Sequence, residues 1–196
     1  MLAVLLVDCL HRGSLLTEGD GHCGLPEAAI TSARAELENL IPVLLAAPRV
    51  LLHRDLQSSN ILLHDGKPFL IDFQGMRFGA PAYDLASLLC DPYARLPQPL
   101  RTNLLARYAA DAPHGEAAVA TFWAAAVERL VQALGAYGRL GAMRDTRRFL
   151  RYIPPAVAEL RAAAAKVTGM PCLEAVLADY AEHVMDVGAG EAPRVG

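Results

Sequence analysis

Three polar side chains of the kinds that bind metal ions or move protons lie close together in the sequence. Asp55 is followed five residues later by Asn60, and Asp72 stands twelve residues beyond Asn60. Phosphoryl transfer from ATP to a hydroxyl needs a carboxylate that orients the hydroxyl and accepts its proton. It also needs an amide oxygen and a second carboxylate that hold Mg²⁺ on the triphosphate. We therefore predict that Asp55 is the base and that Asn60 and Asp72 are the metal ligands.

Short apolar segments around these residues predict the strands that position them. The segment 50–52 predicts a short buried strand just ahead of the polar stretch that contains Asp55. Two further apolar runs flank Asp65-Gly66, a pair that is typical of a hairpin turn. Because hairpin strands run antiparallel, we expect this hairpin to fix the separation of Asn60 and Asp72 at its open end.

The rest of the chain is rich in residues that favour helices. Its 35 alanines and 31 leucines make up a third of the 196 residues. One helix is predicted to follow Pro26, with a kink at Pro42 and an end at Pro48. Beyond residue 82, apolar side chains recur at helical spacing in five segments separated by prolines, which predicts a helical bundle over residues 82–184. The expected fold class is mainly α with a small β-hairpin (α+β).

Charge and hydropathy argue against two classes of partner. The net charge of -3 and the scattered basic residues give no footprint for nucleic acid. No apolar stretch reaches the roughly 18 to 20 residues of a membrane span, and the N-terminus lacks the basic region and cleavage site of a signal peptide. Four cysteines without paired spacing are expected to be reduced thiols. We predict a cytoplasmic protein that binds no nucleic acid and no membrane.

Two motifs carry a resemblance to a known superfamily. Residues 53–60, His-Arg-Asp-Leu-Gln-Ser-Ser-Asn, match the kinase catalytic-loop pattern H-R-D-L-x-x-x-N, and Asp72-Phe-Gln stands where protein kinases carry Asp-Phe-Gly. Gln57 replaces the Lys that is usual there in protein kinases. Asp84 follows Asp72 by only twelve positions, too few for the activation segment of a protein kinase. The chain instead resembles the small-molecule kinases of the aminoglycoside phosphotransferase and choline kinase type.

Within that family, residues 71–93 are similar to a group that contains the anomeric N-acetylmuramate/N-acetylglucosamine kinases of bacterial cell-wall recycling. The hallmark of that group is Asp-Phe-Gln followed by G-x-x-x-Y-D-L. The resemblance implies Mg²⁺ and ATP as cofactor and donor, and a small-molecule sugar or amino-alcohol substrate. It also implies that Asp84, together with His53 and Arg54, supports the shape of the catalytic loop, and that Gln74 faces the sugar.

The resemblance further implies a fold, the C-terminal lobe of the protein-kinase-like fold. In such folds the smaller lobe supplies a Gly-rich loop over the phosphates and a Lys paired with a Glu. No G-x-G-x-x-G precedes His53, and the two lysines lie elsewhere, at 67 and 166. We interpret residues 1–187 as this lobe without an N-terminal ATP-binding lobe, with the catalytic loop and metal site at 50–74 and a frayed tail at 188–196. Residues 1–10 are then expected to expose an apolar patch that favours self-association or binding of a separate N-lobe polypeptide.

Other interpretations stay open. Without the smaller lobe, the chain could be a catalytically silent binding or regulatory module, or a nonfunctional fragment. His53 is interpreted as a packed residue of the loop rather than an acid or base, and Trp123 as a core residue. Four arginines fall on one face of a predicted helix, which indicates a solvated surface more than an anion site: Arg144, Arg147, Arg148 and Arg151.

Overall fold

The computed structural model of the chain describes residues 26–141 and 143–188. The helices within these ranges are α1 (Glu27–Glu38), α2 (Leu40–Leu45), α3 (Ala82–Leu89), α4 (Gln98–Asp111), α5 (Gly115–Ala120), α6 (Phe122–Gly141), α7 (Ile153–Ala164) and α8 (Pro171–Gly188), with 3₁₀ helices at Ser58–Asn60 and Arg144–Tyr152. The strands are β1 (Val50–Leu52), β2 (Ile61–His64), β3 (Lys67–Leu70) and β4 (Arg77–Gly79). The described part of the chain is thus mainly helical with little strand, which confirms the predicted α+β class at this level.

The elements belong to two compact units. One unit, residues 39–130, contains all the strands named above. The other consists of the described parts of Met1–Glu38 and Val131–Gly196 and is built from helices. The apolar segment predicted to be exposed at residues 1–10 lies outside the described residues, as does all but the first residue of the tail predicted at 188–196.

Each strand of the first unit pairs with one antiparallel partner. In the hairpin, Ile61 pairs with Leu70 and His64 with Lys67. Asp65 and Gly66 form its turn with φ angles of 49° and 72°, the left-handed values that a two-residue hairpin turn requires. The predicted hairpin is therefore confirmed. The second pair joins β1 to β4, a three-residue strand that was not predicted.

The core of this unit lies between the helices. The first half of α6 presents buried side chains at helical spacing, and α3 does the same. Their buried residues are Phe122, Ala125, Ala126, Val127 and Leu130 in α6, and Ala82, Ala86 and Leu89 in α3. Trp123 is only half-buried, because it lies beside Phe122, whose ring takes the inward position on α6.

The helical unit packs α1 and α7 against α8. Ala33 and Leu37 supply the buried face of α1. The Glu36 carboxylate accepts hydrogen bonds from the backbone N–H groups of Cys172 and Leu173, at 2.9 Å and 2.8 Å. These N–H groups lie in the first turn of α8, where a helix has no internal acceptors for them. A side chain of one helix therefore caps another.

Some expectations are corrected. The helix after Pro26 ends at Glu38, and Pro42 lies in the first turn of α2, where a missing N–H costs no helical hydrogen bond. The segment 50–52 is a strand but only partly a buried one, since Leu52 is buried and Leu51 is exposed. Arg144–Tyr152, the segment of the four arginines, is a 3₁₀ helix. No described helix is long and apolar enough to cross a membrane.

Candidate active site

The polar loop between β1 and β2, residues 53–60, is held at its start by the carboxylate of Asp84. We refer to residues 53–60 as the site loop. Asp84 lies in the first turn of α3 and accepts hydrogen bonds from the backbone N–H of His53 at 2.5 Å and of Arg54 at 2.9 Å. Arg54 has a φ of 73°, a left-handed conformation that costs energy for a side chain with a Cβ. The two hydrogen bonds to Asp84 compensate for that cost and set the direction in which the loop leaves the strand.

His53 and Arg54 connect the site loop to the segment after β3. Nε2 of His53 lies 2.9 Å from the carbonyl oxygen of Ile71, and Nη1 of Arg54 donates to the carbonyl of Gly75 at 3.1 Å. The imidazole is buried, and its Nδ1 has no hydrogen-bond partner in the described part of the chain. This arrangement agrees with the interpretation of His53 as a packed residue that ties two segments together.

A second carboxylate, Asp91, holds the site loop near its end. Its Oδ2 accepts the backbone N–H of Ser58 at 2.7 Å, and its Oδ1 accepts that of Tyr93 at 2.8 Å. Asp91 follows α3 and is 2% exposed, so both bonds form away from water. Sequence reasoning missed this residue, because an Asp before a Pro is common at helix ends and carries no sign of a distant partner.

Asp55 lies at the centre of the loop with its carboxylate partly exposed. Oδ1 accepts a hydrogen bond from Nη2 of Arg129 at 2.7 Å. Oδ2 accepts from Nε2 of Gln57 at 3.2 Å and from Nδ2 of Asn60 at 3.1 Å. Arg129 reaches Asp55 from α6, 74 residues away in sequence, and was not among the predicted site residues.

The hairpin brings Asn60 next to the segment that carries Asp72. The N–H of Ile71 donates to the carbonyl of Asn60 at 3.1 Å, so Asp72 follows directly on the residue bonded to Asn60. The buried amide of Asn60 uses its nitrogen for both of its hydrogen bonds, to the backbone oxygen and to Oδ2 of Asp55, which leaves the amide oxygen for another ligand. This backbone hydrogen bond at the open end of the hairpin fixes the spacing of the two segments, as predicted.

Asp72 itself is exposed and has a left-handed backbone, with a φ of 63°. Its Oδ1 accepts a hydrogen bond from Nε2 of Gln74 at 2.7 Å. The described residues include no group of three or more His, Cys, Asp or Glu side chains that could hold a metal by themselves. One amide oxygen and one carboxylate suit a magnesium ion whose remaining ligands come from phosphates and water.

Two titratable side chains line the buried side of this region. Burial raises the pKa of the Tyr83 hydroxyl, and the nearby Arg129 guanidinium opposes that rise. Burial also raises the pKa of the Glu128 carboxyl. Tyr83 precedes Asp84 on α3, and Glu128 precedes Arg129 on α6, so both groups lie on the helices that reach the site loop.

Comparison with known proteins places these features in a family. Residues 11–123 match the model of the phosphotransferase enzyme family. An N-acetylmuramate/N-acetylglucosamine kinase of Pseudomonas aeruginosa is 30% identical over 154 residues, which cover 70% of this chain and 46% of that protein. A protein of the same name from Neisseria meningitidis serogroup B is 39% identical over 72 residues, 37% of this chain and 22% of that protein. The matches therefore span less than half the length of these relatives.

Proposed function

Because the chain belongs to the phosphotransferase enzyme family, we propose that it transfers a phosphoryl group from ATP to a hydroxyl of a small molecule, with Mg²⁺ on the nucleotide. The observation that carries this proposal is the setting of Asp55. Its carboxylate is partly exposed on a loop held by two other carboxylates, and it is hydrogen-bonded to Asn60. A proton acceptor in a fixed place beside a metal ligand is what phosphoryl transfer to a hydroxyl requires.

The proposed roles follow the atoms that remain available. Asp55 orients the attacking hydroxyl and accepts its proton. The amide oxygen of Asn60 and the carboxylate of Asp72 hold Mg²⁺, which when bound offsets negative charge on the phosphates. Asp84, His53 and Arg54 hold the site loop in shape through the contacts described above.

The substrate we propose is an amino sugar. Two relatives carry names that specify N-acetylmuramate and N-acetylglucosamine, and the Asp-Phe-Gln motif with its Tyr-Asp-Leu continuation is present at 72–74 and 83–85. Gln74 is our candidate for contact with the sugar, because its exposed amide lies beside Asp72. Since ATP is the proposed donor, we place the reaction in the cytoplasm.

We also propose that the described strands form part of a C-terminal kinase lobe and work with an ATP-binding lobe. That lobe would be in the same polypeptide or in a separate one, with self-association as the alternative. Apolar side chains on the strands support this, because they are exposed in cross-strand pairs: Leu51 with Phe78, and Leu62 with Phe69. Apolar pairs of this kind are normally covered by a partner.

The experiment measures transfer of labelled phosphate from ATP to N-acetylglucosamine and N-acetylmuramate, by the chain alone and by the chain fused to the ATP-binding lobe of a related sugar kinase. We expect transfer by the fusion, loss of transfer in its Asp55→Asn variant, and activity near background for the chain alone. A fusion that binds ATP and Mg²⁺ but transfers phosphate to neither sugar would contradict the proposed substrate class, and would favour a silent binding module if other hydroxyl acceptors also fail.

A further inference from the structure

Arg129 is anchored at two points beside the proposed base. Its Nη2 donates to Oδ1 of Asp55 at 2.7 Å, and its Nε donates to Oγ of Ser87 on α3 at 2.9 Å. The Arg129 side chain is 15% exposed and that of Asp55 is 42% exposed. A planar guanidinium fixed through two of its nitrogens has little freedom to rotate, so it presents Nη2 to Asp55 in one direction.

The hydrogen bonds of Asp55 fill its two oxygens unequally. Each carboxylate oxygen has two lone pairs. Oδ2 accepts from both Gln57 and Asn60, whereas Oδ1 accepts from Arg129. The lone pair that remains for a substrate hydroxyl is therefore on Oδ1, the oxygen that Arg129 binds.

We propose that Arg129 is a positioning residue that sets the rotation of the Asp55 carboxylate, so that the remaining lone pair of Oδ1 faces the substrate hydroxyl. The inference rests on the proposed function of Asp55 as the base. In that reaction the hydroxyl oxygen forms a bond to the γ-phosphorus of ATP, the bond from that phosphorus to ADP breaks, and the hydroxyl proton passes to Oδ1. Without Arg129, the carboxylate would be held only through Oδ2, by Gln57 and Asn60. Oδ1 would then be free to move as the carboxylate rotates.

A different role for Arg129 is direct binding of an anion on the substrate, since Nη1 makes no hydrogen bond within the described residues. The two roles make different kinetic predictions. A positioning role changes the rate of transfer for every sugar. A binding role changes the KM of an anionic sugar and spares a neutral one.

The first experiment needs no activity. In the chain as it exists, NMR of the Arg129 guanidinium should show restricted rotation about the Nε–Cζ bond. We expect the restriction to be lost in Asp55→Ala, which removes the acceptor, and reduced in Ser87→Ala. It should be unchanged in Arg107→Lys, which replaces an exposed arginine of α4. Free rotation in the wild-type chain would overturn the proposal.

The second experiment uses the fusion described under the proposed function. Arg129→Lys and Arg129→Gln should lower kcat about 10²-fold for N-acetylglucosamine and for N-acetylmuramate alike, with little change in KM, because a misplaced acceptor slows the chemical step. Ser87→Ala should cause a smaller loss, and added methylguanidinium should restore part of the activity of Arg129→Ala. A wild-type kcat in Arg129→Gln would overturn the proposal, as would a KM increase confined to N-acetylmuramate.

The two experiments separate this inference from the proposed function. If the wild-type fusion transfers no phosphate, the proposed function fails, and the NMR measurement still decides whether Arg129 fixes the Asp55 carboxylate. Restricted rotation that depends on Asp55 then supports the positioning of this side chain, and its absence overturns it.

Discussion

At the scale of single residues, the carboxylate of Asp91 is a buried contact that a change of one atom can break. It accepts backbone N–H groups from Ser58 and Tyr93, one on each oxygen. In Asp91→Asn one oxygen becomes an NH₂ group, which cannot accept a hydrogen bond, so one of the two backbone N–H groups loses its partner. Leaving a buried donor without a partner costs about 1 to 3 kcal/mol. We expect Asp91→Asn to lower the free energy of unfolding by about 2 kcal/mol in a urea titration.

The matched control for this variant is Asp111→Asn. Asp111 forms an exposed ion pair with Arg107, at 3.4 Å, and such pairs contribute little. We expect its free energy of unfolding to stay within about 0.5 kcal/mol of wild type. Equal stability of the two variants would show that Asp91 is not the buried anchor of the site loop.

Glu128 provides a test based on pH. Burial raises the pKa of its carboxyl above the ordinary value of 4.5. A group whose pKa is raised on folding stabilises the folded state fully below its unfolded pKa and loses that contribution as the pH rises through the folded value. From pH 4.5 upward, Glu128→Gln should therefore gain stability relative to wild type, as measured by urea titration at several pH values. A stability difference between Glu128→Gln and wild type that is the same at every pH would contradict this prediction.

Local spacing predicted the candidate site residues that lie within one stretch of chain, and the resemblance added Asp84, but Arg129 and Asp91 were missed. The hairpin turn and the apolar runs were enough to bring the segments of Asn60 and Asp72 together. Arg129 and Asp91 reach the site loop from 74 and 33 residues away from their partners. Nothing in the neighbourhood of either residue indicates such a partner, because the pairing is decided by how α3 and α6 pack.

At the scale of secondary-structure elements, the start of α8 depends on α1. Glu36 accepts the N–H groups of Cys172 and Leu173, and its hydrogen bond to the Cys172 side chain raises the pKa of that thiol. We expect Glu36→Ala to lower the free energy of unfolding by about 1 kcal/mol, the usual cost of losing a helix cap. The same variant should lower the pKa of Cys172, measured by the pH dependence of its alkylation.

The control for the cap is Glu38→Ala, which removes a carboxylate two residues further along α1. Glu38 pairs with Arg34 on the exposed surface at 3.0 Å. Loss of this pair should lower the free energy of unfolding by about 0.3 to 0.5 kcal/mol, as for other exposed pairs of this spacing. The pKa of the Cys172 thiol should stay the same as in wild type. Loss of stability in Glu38→Ala equal to that in Glu36→Ala would contradict the capping role.

Elements with a strong local pattern were predicted, and elements defined by a partner were not. Asp65-Gly66 is a turn signal that needs no tertiary information, and the hairpin formed as expected. β4 has three residues and becomes a strand through its pairing with β1, where Gly79 leaves room for the Leu52 side chain. A Cβ at Gly79 would lie 2.7 Å from Cδ1 of Leu52, so any other residue there would require the Leu52 side chain to shift. No periodicity within three residues can show this.

At the scale of the whole molecule, the helices and the strands of the unit of residues 39–130 differ in how far their apolar side chains are buried. The apolar side chains on the inner faces of α3 and α6 are buried. The strands instead carry apolar side chains that remain open to solvent, with Leu51 54% exposed and its cross-strand partner Phe78 64% exposed. The exposed apolar patch predicted from the sequence was at residues 1–10, which lie outside the described part of the chain. The segment 50–52 was predicted to be a buried strand, because an apolar run does not reveal whether both of its faces find partners.

These exposed strand side chains predict that the chain associates with itself when no other lobe covers them. Burying apolar surface contributes about 25 cal/mol per Å², so a pair of molecules that cover each other's strands gains from every side chain removed from water. Phe78→Lys and Leu63→Lys should each shift the molecule toward monomer, because Leu63 is 76% exposed and a charged group on a strand opposes its burial. Leu100→Lys, at an exposed position on α4, should leave the association unchanged. Light scattering at several concentrations measures the effect, and a wild-type chain that stays monomeric at high concentration would rule out the association.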